Sequence, residues 1–254
     1  MPDHLPDQYT SIITGGGGIG RALLARLCRD PRAGRLIAVT RHRARLEQDT
    51  QLDIERLEIV EADVTTEPGL QTLSDYIDQT PIHLLLNTIG VLHDRQNDQS
   101  VAIAPEKRIE RLSFEALHHT FHVNAATAAM LISTLIDRMT RHPAIMATLS
   151  ARVGSIGDNE LGGWYAYRAS KAALNMLMKT ASVEFKRRNP QAIVLCLHPG
   201  TTDTELSRPF QARVPQEKLF TPEFVAEQLL EVINRRTPED SGAFYDWNDT
   251  PIEW

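Results

Sequence analysis

Tyr9-Thr10-Ser11-Ile12-Ile13-Thr14, Gly15-Gly16-Gly17-Gly18-Ile19-Gly20 and Arg21-Ala22-Leu23-Leu24-Ala25-Arg26-Leu27-Cys28 follow one another without a break. The first run reads as a short apolar strand, and a helix starts at Ile19 with Ala22, Leu23, Leu24, Leu27 and Cys28 on its apolar side. The glycines between them form a strand-to-helix turn. Such a turn lets backbone approach a phosphate closely, and the next helix offers free N–H groups and a partial positive charge. The spacing has one irregularity. Counting back from Gly20 and Gly18, the first glycine of a G-x-x-x-G-x-G pattern falls on Thr14, so Gly15 serves only in a loop one residue shorter. Three further glycines keep that loop permissive, and a bound nucleotide is still expected.

Strands and helices alternate beyond this unit. Strands are predicted at Arg35–Thr40, Leu57–Glu61, Ile82–Asn87, Ala144–Ser150, Ile193–His198 and Ala243–Trp247. Helices are predicted at Gln71–Gln79, from the N-cap Ser113 to about Arg141, at Trp164–Arg187 and from Pro222 to about Arg236. The nearly continuous apolar strands suit a parallel sheet covered on both faces. The fold class expected is α/β, a Rossmann-type doubly wound parallel sheet of about seven strands, binding its ligand at the carboxyl ends of the strands. No repeat or linker divides the chain, so residues 1–254 read as a single domain, with 1–8 a flexible N-terminal tail. The segments His93–Pro105 and Thr201–Leu219 each follow a strand end and are placed to cover a ligand.

A chain of 254 residues is long enough for one large domain. A formal net charge of −6 argues against a nucleic-acid surface. No apolar run reaches the roughly 18 residues of a membrane span. Residues 1–8 lack the character of a signal peptide. Two cysteines, Cys28 and Cys196, fit reduced thiols in a cytoplasmic protein. His118 and His122 lie one helical turn apart with His119 between them, but no ligand set completes a metal site.

Tyr167 and Lys171, four apart on a predicted helix, share a face. A nearby ammonium favours a phenolate and lowers the phenol's pKa from about 10. A tyrosine tuned in this way exchanges protons with a carbonyl or an alcohol. Tyr165 has Ala169 at the equivalent place and lacks such a partner. Arg41 ends the second strand, where an acid would hold a ribose hydroxyl; an arginine there favours a 2′-phosphate, with Arg43 or Arg45 as a second contact. NADP(H) is therefore the preferred cofactor, NAD(H) a possible one. Trp164 and Phe210 fit either a substrate pocket or ordinary packing.

The chain resembles the short-chain dehydrogenase/reductase family. The matching residues are Ile13-Thr14-Gly15-Gly16-Gly17-Gly18-Ile19-Gly20, Asp63-Val64, Asn87-Thr88-Ile89-Gly90, Asn124, Tyr167-Arg168-Ala169-Ser170-Lys171 and Pro199-Gly200-Thr201-Thr202-Asp203-Thr204. Gly154-Ser155-Ile156-Gly157-Asp158-Asn159 and the tail ending in Trp254 are most similar to the branch of C-factor (C-signal) proteins and sniffer-type carbonyl reductases. The resemblance implies that Asp63 and Val64 meet the adenine and that the Asn87–Gly90 turn packs beside the cofactor. It implies that Asn124 holds a water relaying protons toward Lys171, and that Lys171 grips the nicotinamide ribose. Thr202 and Thr204, after Pro199 and Gly200, would fix the carboxamide. It also implies a homodimer or homotetramer built on the long helices, acting on a small carbonyl or alcohol.

One family residue is missing. The second serine of a pair at the end of the fifth strand usually polarises the substrate carbonyl, and here the pair reads Ser150-Ala151. Ser150 is the nearest replacement and Ser155 the next. Side chains alternate along a strand, so Ser150 is expected to face away unless the strand end is bulged. The function expected is an NADP(H)-dependent oxidoreductase with Tyr167 as acid/base. The alternative is an NAD(P)-binding signalling or regulatory protein with little turnover, which Ala151 favours.

Overall fold

In a computed structural model, described over residues 5–93 and 103–254, nine strands and seven α-helices alternate along the chain. The strands are β1 (Tyr9–Thr14), β2 (Ala33–Thr40), β3 (Leu57–Glu61), β4 (Leu84–Asn87), β5 (Ala144–Leu149), β6 (Ala192–His198), β7 (Thr201–Thr202), β8 (Leu219–Phe220) and β9 (Ala243–Asp246). The helices are α1 (Gly18–Leu27), α2 (Arg43–Glu47), α3 (Glu67–Ile77), α4 (Phe114–Phe121), α5 (Thr127–Leu135), α6 (Tyr165–Arg188) and α7 (Pro222–Asn234).

Seven strands form one parallel sheet in the order β3-β2-β1-β4-β5-β6-β9. The chain winds outward from β1 in one direction, then returns to β4 and winds in the other. Between β1 and β4, connections leave toward opposite faces, which opens the crevice where such sheets take ligands.

Burial follows the two-residue period of the strands. Ile13, Leu84, Leu86, Ile145, Ala147, Ile193 and Leu195 face one side and pack with Leu23, Leu24 and Leu27 of α1 and Val225, Leu229 and Ile233 of α7. Ile12, Leu85, Met146, Val194 and Cys196 face the other side, against Leu73 of α3, Leu131 and Leu135 of α5, and Leu174, Met178 and Phe185 of α6. Two apolar layers therefore hold the sheet from both faces, as the continuous apolar strands imply.

Several details differ from the sequence reading. Helix α3 starts four residues before Gln71, because Thr66 caps it through the Gly69 N–H and Pro68 sits in its first turn. The long helix expected from Ser113 to Arg141 is interrupted: Ser113 does cap it, but residues His122–Ala126 form a π-helical turn and Ile136–Met139 tighten into a 3₁₀ turn. β7 and β8 make a separate two-stranded pairing within the segment read as irregular. Of the tail expected to be flexible, residues 1–4 lie outside the described residues. Leu5 is buried in the core, and Arg32 holds this stretch by donating to the Leu5 carbonyl and to Asp7. No helix among the described residues is long and apolar enough to cross a membrane.

Candidate active site

The glycine turn starts at Gly15, which has φ +97° and donates its N–H to Val39 O on β2. A Cβ on Gly20 would lie 2.0 Å from the Gly15 carbonyl, so only glycine lets α1 start this close to the end of β1. Gly15 thus takes the first-glycine position in a shortened loop, and Thr14 is buried beneath it with its hydroxyl donating to Asn87. Gly16 packs on Thr40 and Leu46, while nothing lies within 4 Å of a Cβ at Gly17. No side chain caps α1 and its first turn has no acid. An open glycine surface leading to an uncapped helix N-terminus fits a diphosphate. Gly15 to Gly20, with Ile19 buried as the anchor of the helix, would hold it.

The neighbouring strand ends complete this side of the crevice. Arg41, following β2, is exposed and lies 3.9 Å from Asp63, which follows β3. Asp63 also accepts bonds from the N–H and hydroxyl of Thr65, while Val64 is buried. Arg43 turns away to Glu47 and the Ile59 carbonyl. Of the three basic residues, Arg41 is thus the one at the strand end beside Asp63. Asn87 is 2% exposed and its amide is occupied: it accepts from Thr14 and Ile89 N and donates to Thr148. Its side chain ties β1, β4 and β5 together.

Asn124 lies in the π-helical turn. Its carbonyl oxygen accepts from Val91 N at 2.7 Å, and its amide donates to Val91 O and to Ser170 Oγ, each at 2.9 Å. Ser170 in turn donates to Tyr167 O. Asn124 therefore joins the loop after β4 to the first turns of α6. A Cβ on Gly90 would come 3.4 Å from Lys171 Nζ and 3.5 Å from Asn124 Oδ1, so the two polar groups flank one point. Lys171 Nζ donates to Leu149 O at 2.9 Å and sits 5.8 Å from the centre of the Tyr167 ring.

Burial sets the electrostatics of this cluster. Lys171 is 3% exposed, and loss of water pulls its pKa down to about 8, with the Cys196 thiol opposing the shift. Tyr167 goes the other way from the sequence expectation. Burial pushes its phenol above the ordinary value, a desolvation that outweighs the effect of a lysine this far away. The lysine shift has a measurable consequence. The native state holds fewer protons than the unfolded chain between about pH 8 and the free-lysine value of about 10.4, so this group's destabilisation is full below that window and relieved as pH rises through it. Lys171→Met removes the penalty. The melting-temperature advantage of the variant over the parent is therefore expected to shrink between about pH 8 and 10.4; an advantage constant with pH would show that Lys171 does not titrate there.

Ser150 is buried and donates to Asn175 Oδ1 at 2.6 Å, one helical turn beyond Lys171 on α6. Its hydroxyl is committed to this packing contact, which departs from its assignment as a catalytic hydroxyl. Ser155 accepts from Asp158 N. Ala151 is extended and less buried than Ser150.

The loop after β6 closes the far side. Gly200 has φ +71° and packs on Phe220 and Trp247. Thr202 is buried, donating to Pro199 O, and Thr204 donates to Thr202 O. A Cβ at Gly18 would lie 2.7 Å from Thr204 Cγ2, so this loop reaches the glycine turn. Above Tyr167, ring centres are 6.2 Å apart for Trp164–Tyr167, 5.3 Å for Trp164–Phe210 and 5.8 Å for His93–Phe210. Three elements contribute these rings, and their spacing from one another has no sequence signal. His118 at the end of α4 and His122 at the start of the π-helical turn, by contrast, are exposed and stack on each other, with His122 bonded to Thr65 O.

Comparison with known proteins agrees with this geometry. The short chain dehydrogenase family profile matches residues 9–214. The 1-hydroxy-2-glutathionyl-2-methyl-3-butene dehydrogenase of Rhodococcus sp. (strain AD45) is 28% identical over 200 residues, covering 78% of this chain and 84% of the relative. The C-signal protein of Myxococcus xanthus is 34% identical over 146 residues, covering 56% of this chain and 81% of the relative. Among solved structures, the carbonyl reductase Sniffer of D. melanogaster aligns with a TM-score of 0.81 at 22% identity, covering 97% of this chain and all (100%) of that one. An NADPH-bound carbonyl reductase from chicken fatty liver aligns with a TM-score of 0.79 at 21% identity, covering 98% and 100%. These two structural likenesses speak to the fold.

Proposed function

Because the chain belongs to the short-chain dehydrogenase family and is an oxidoreductase of that family, we propose that it is an NADP(H)-dependent reductase of carbonyl compounds, with Tyr167 as its acid/base group. The observation that carries this reading is the convergence of Tyr167, Lys171 and Asn124 at the strand ends beside an open glycine turn. When bound, a reduced nicotinamide supplies the hydride. Tyr167 would donate its proton to the carbonyl oxygen, so that C=O becomes CH–OH and the phenol a phenolate. Lys171 stabilises the phenolate by charge, and Asn124 keeps the loop at Gly90 and Val91 in register with α6. Burial keeps Tyr167 protonated in the resting protein, the form from which it would donate.

The rings of His93, Trp164 and Phe210 favour a flat, apolar substrate body attached to the carbonyl. The test is consumption of NADPH in the presence of aldehydes, ketones and quinones. Turnover of aromatic carbonyls above that of short aliphatic ones is expected; no turnover of any would leave the low-turnover alternative in its place.

Cofactor choice rests on Arg41. At 58% side-chain exposure and 3.9 Å from Asp63, its guanidinium is loosely held and free to meet a phosphate. A charge-assisted contact of this kind contributes about 1.5–3 kcal/mol, or roughly tenfold or more in affinity. Fluorescence titration is expected to show NADPH binding more tightly than NADH, and Arg41→Ala losing affinity for NADPH selectively. Equal affinities in the parent protein would falsify the assignment.

For assembly, we favour a homo-oligomer formed through the long helices. Phe114 on α4, Met130 on α5, and Met176 and Val183 on α6 are exposed apolar side chains on those elements. Sedimentation of the parent at micromolar concentration distinguishes this from a monomer.

A further inference from the structure

Helix α6 carries Tyr167 in its first turn, and its approach offers that turn no side-chain cap; the approach is tied to it instead by the Arg168 guanidinium, which donates to the Gly163 carbonyl. Gly162, Gly163 and Trp164 have φ of 61°, 68° and 53°, three successive left-handed residues, the last a bulky one that pays strain there. Trp164 occupies the N-cap without making a side-chain capping bond, and the first turn contains no acid. The first N–H groups of a helix have no partner within it and need one when buried. Here Glu106, sixty positions before Ala166, supplies one acceptor to the N-cap and one to the second helical residue. The backbone carbonyl of Glu106 accepts from Trp164 N at 2.6 Å, and its side-chain carboxylate accepts from Ala166 N at 3.2 Å. Glu106 is 4% exposed, an unusual place for a carboxylate without an argument for it. It lies on the connection between β4 and α4, the same connection that begins with Gly90, Val91 and His93.

We propose that Glu106 is a positioning residue for the reaction: it caps α6 from outside the helix and fixes where the Tyr167 hydroxyl sits. The assignment rests on the reading of Tyr167 as the acid/base group. Ala166 is the residue immediately before Tyr167, so loosening its N–H frees the turn that aims the phenol. Asn124 grips the same turn from the other side through Ser170 and the Tyr167 carbonyl. Both grips start from the β4–α4 connection or the helix after it. The acid/base group is thereby registered against the loop that borders the substrate space, and not merely against the sheet. A placement error of about 1 Å from a distant change costs on the order of 10²-fold in rate, so a cap of this kind acts on turnover without touching substrate.

The test compares Glu106→Ala, Glu106→Gln and Tyr167→Phe with the parent, each corrected for the fraction that binds NADPH by fluorescence titration. Glu106→Ala is expected to lose roughly 10–100-fold in kcat with the KM for NADPH unchanged. Glu106→Gln retains an acceptor oxygen for Ala166 N and is expected to stay within about threefold of the parent. Four results would overturn the proposal. A Glu106→Ala rate near the parent, with Tyr167→Phe inactive, removes the positioning role and leaves the acid/base reading intact. Equal losses in the Ala and Gln variants mean the capping acceptor is not what matters. A rate loss matched by lost NADPH-binding fraction means Glu106 only supports folding. Full turnover in Tyr167→Phe removes both readings.

Discussion

Tyr167→Phe is expected to lower kcat roughly 10²–10⁴-fold, the contribution typical of a general acid or base, while the affinity for NADPH stays nearly unchanged. The ring is kept, so its edge contact with Trp164 and its burial survive, and only the transferable proton is lost. Burial raises the phenol's pKa, which makes the group a donor held in its protonated form. A buried phenol cannot easily be replaced by water from outside, so the loss is expected near the upper end of that range. Tyr165 provides the internal control. It is exposed on the first turn of the same helix, two residues away on another face, and Tyr165→Phe is expected to change kcat by less than about twofold, as for surface substitutions. Steady-state rates on one good carbonyl substrate, with NADPH titrations alongside, decide the matter. Equal losses in the two variants would mean that Tyr167 has no special role.

Much of this site could be read from the sequence because its key residues are fixed by local rules. Gly15 to Gly20 between an apolar strand and an amphipathic helix already states the turn, and Gly20 under the Gly15 carbonyl shows why that position admits no side chain. Tyr167 and Lys171 share a helix face by spacing alone. The alternation of strand and helix likewise defined the sheet, since each strand's apolar residues divide between two helical layers. What could not be read depends on contacts across the chain. The sign of the Tyr167 shift comes from how deeply the phenol is buried, which spacing does not state. The ties of the Asn87 amide to Thr14 and Thr148 join three strands, and no local pattern states them. The π-helical turn at Asn124 leaves no mark in a helical hydrophobic pattern, because one extra residue only slips the period. Glu106 has no local signature, since its partners lie sixty residues away. The early start of α3 was legible in principle: Thr66, Glu67 and Pro68 are a cap, an acid and a first-turn proline.

Ala151→Ser is expected to raise kcat, by up to roughly 10²–10³-fold if one donor aimed at the developing oxyanion is all that is lacking. The geometry at the end of β5 motivates this. Ser150 is turned to Asn175, its proton held at 2.6 Å inside the protein. The next residue is extended, with φ −148° and ψ 143°, so its side chain leaves on the opposite side from that of Ser150. A hydroxyl at 151 would thus have no competing claim from Asn175. Ser150→Ala serves a different purpose. It strands the Asn175 carbonyl oxygen in the interior and is expected to cost about 1–3 kcal/mol of stability, with kcat of the folded fraction little changed. Ser155→Ala removes an acceptor from Asp158 N in the loop whose Gly157 N–H bonds to the Trp254 carbonyl, so its effect is expected in loop stability first. The four proteins are compared by kcat on one substrate and by thermal melting. A large loss of kcat in Ser150→Ala or Ser155→Ala, with Ala151→Ser unimproved, would identify a neighbouring hydroxyl as the one that already polarises the carbonyl. Indifference of kcat to all three changes would mean that no serine polarises the carbonyl in this chain. The reading of a cofactor-binding protein with little turnover would then account better for Ala151 than a reductase does.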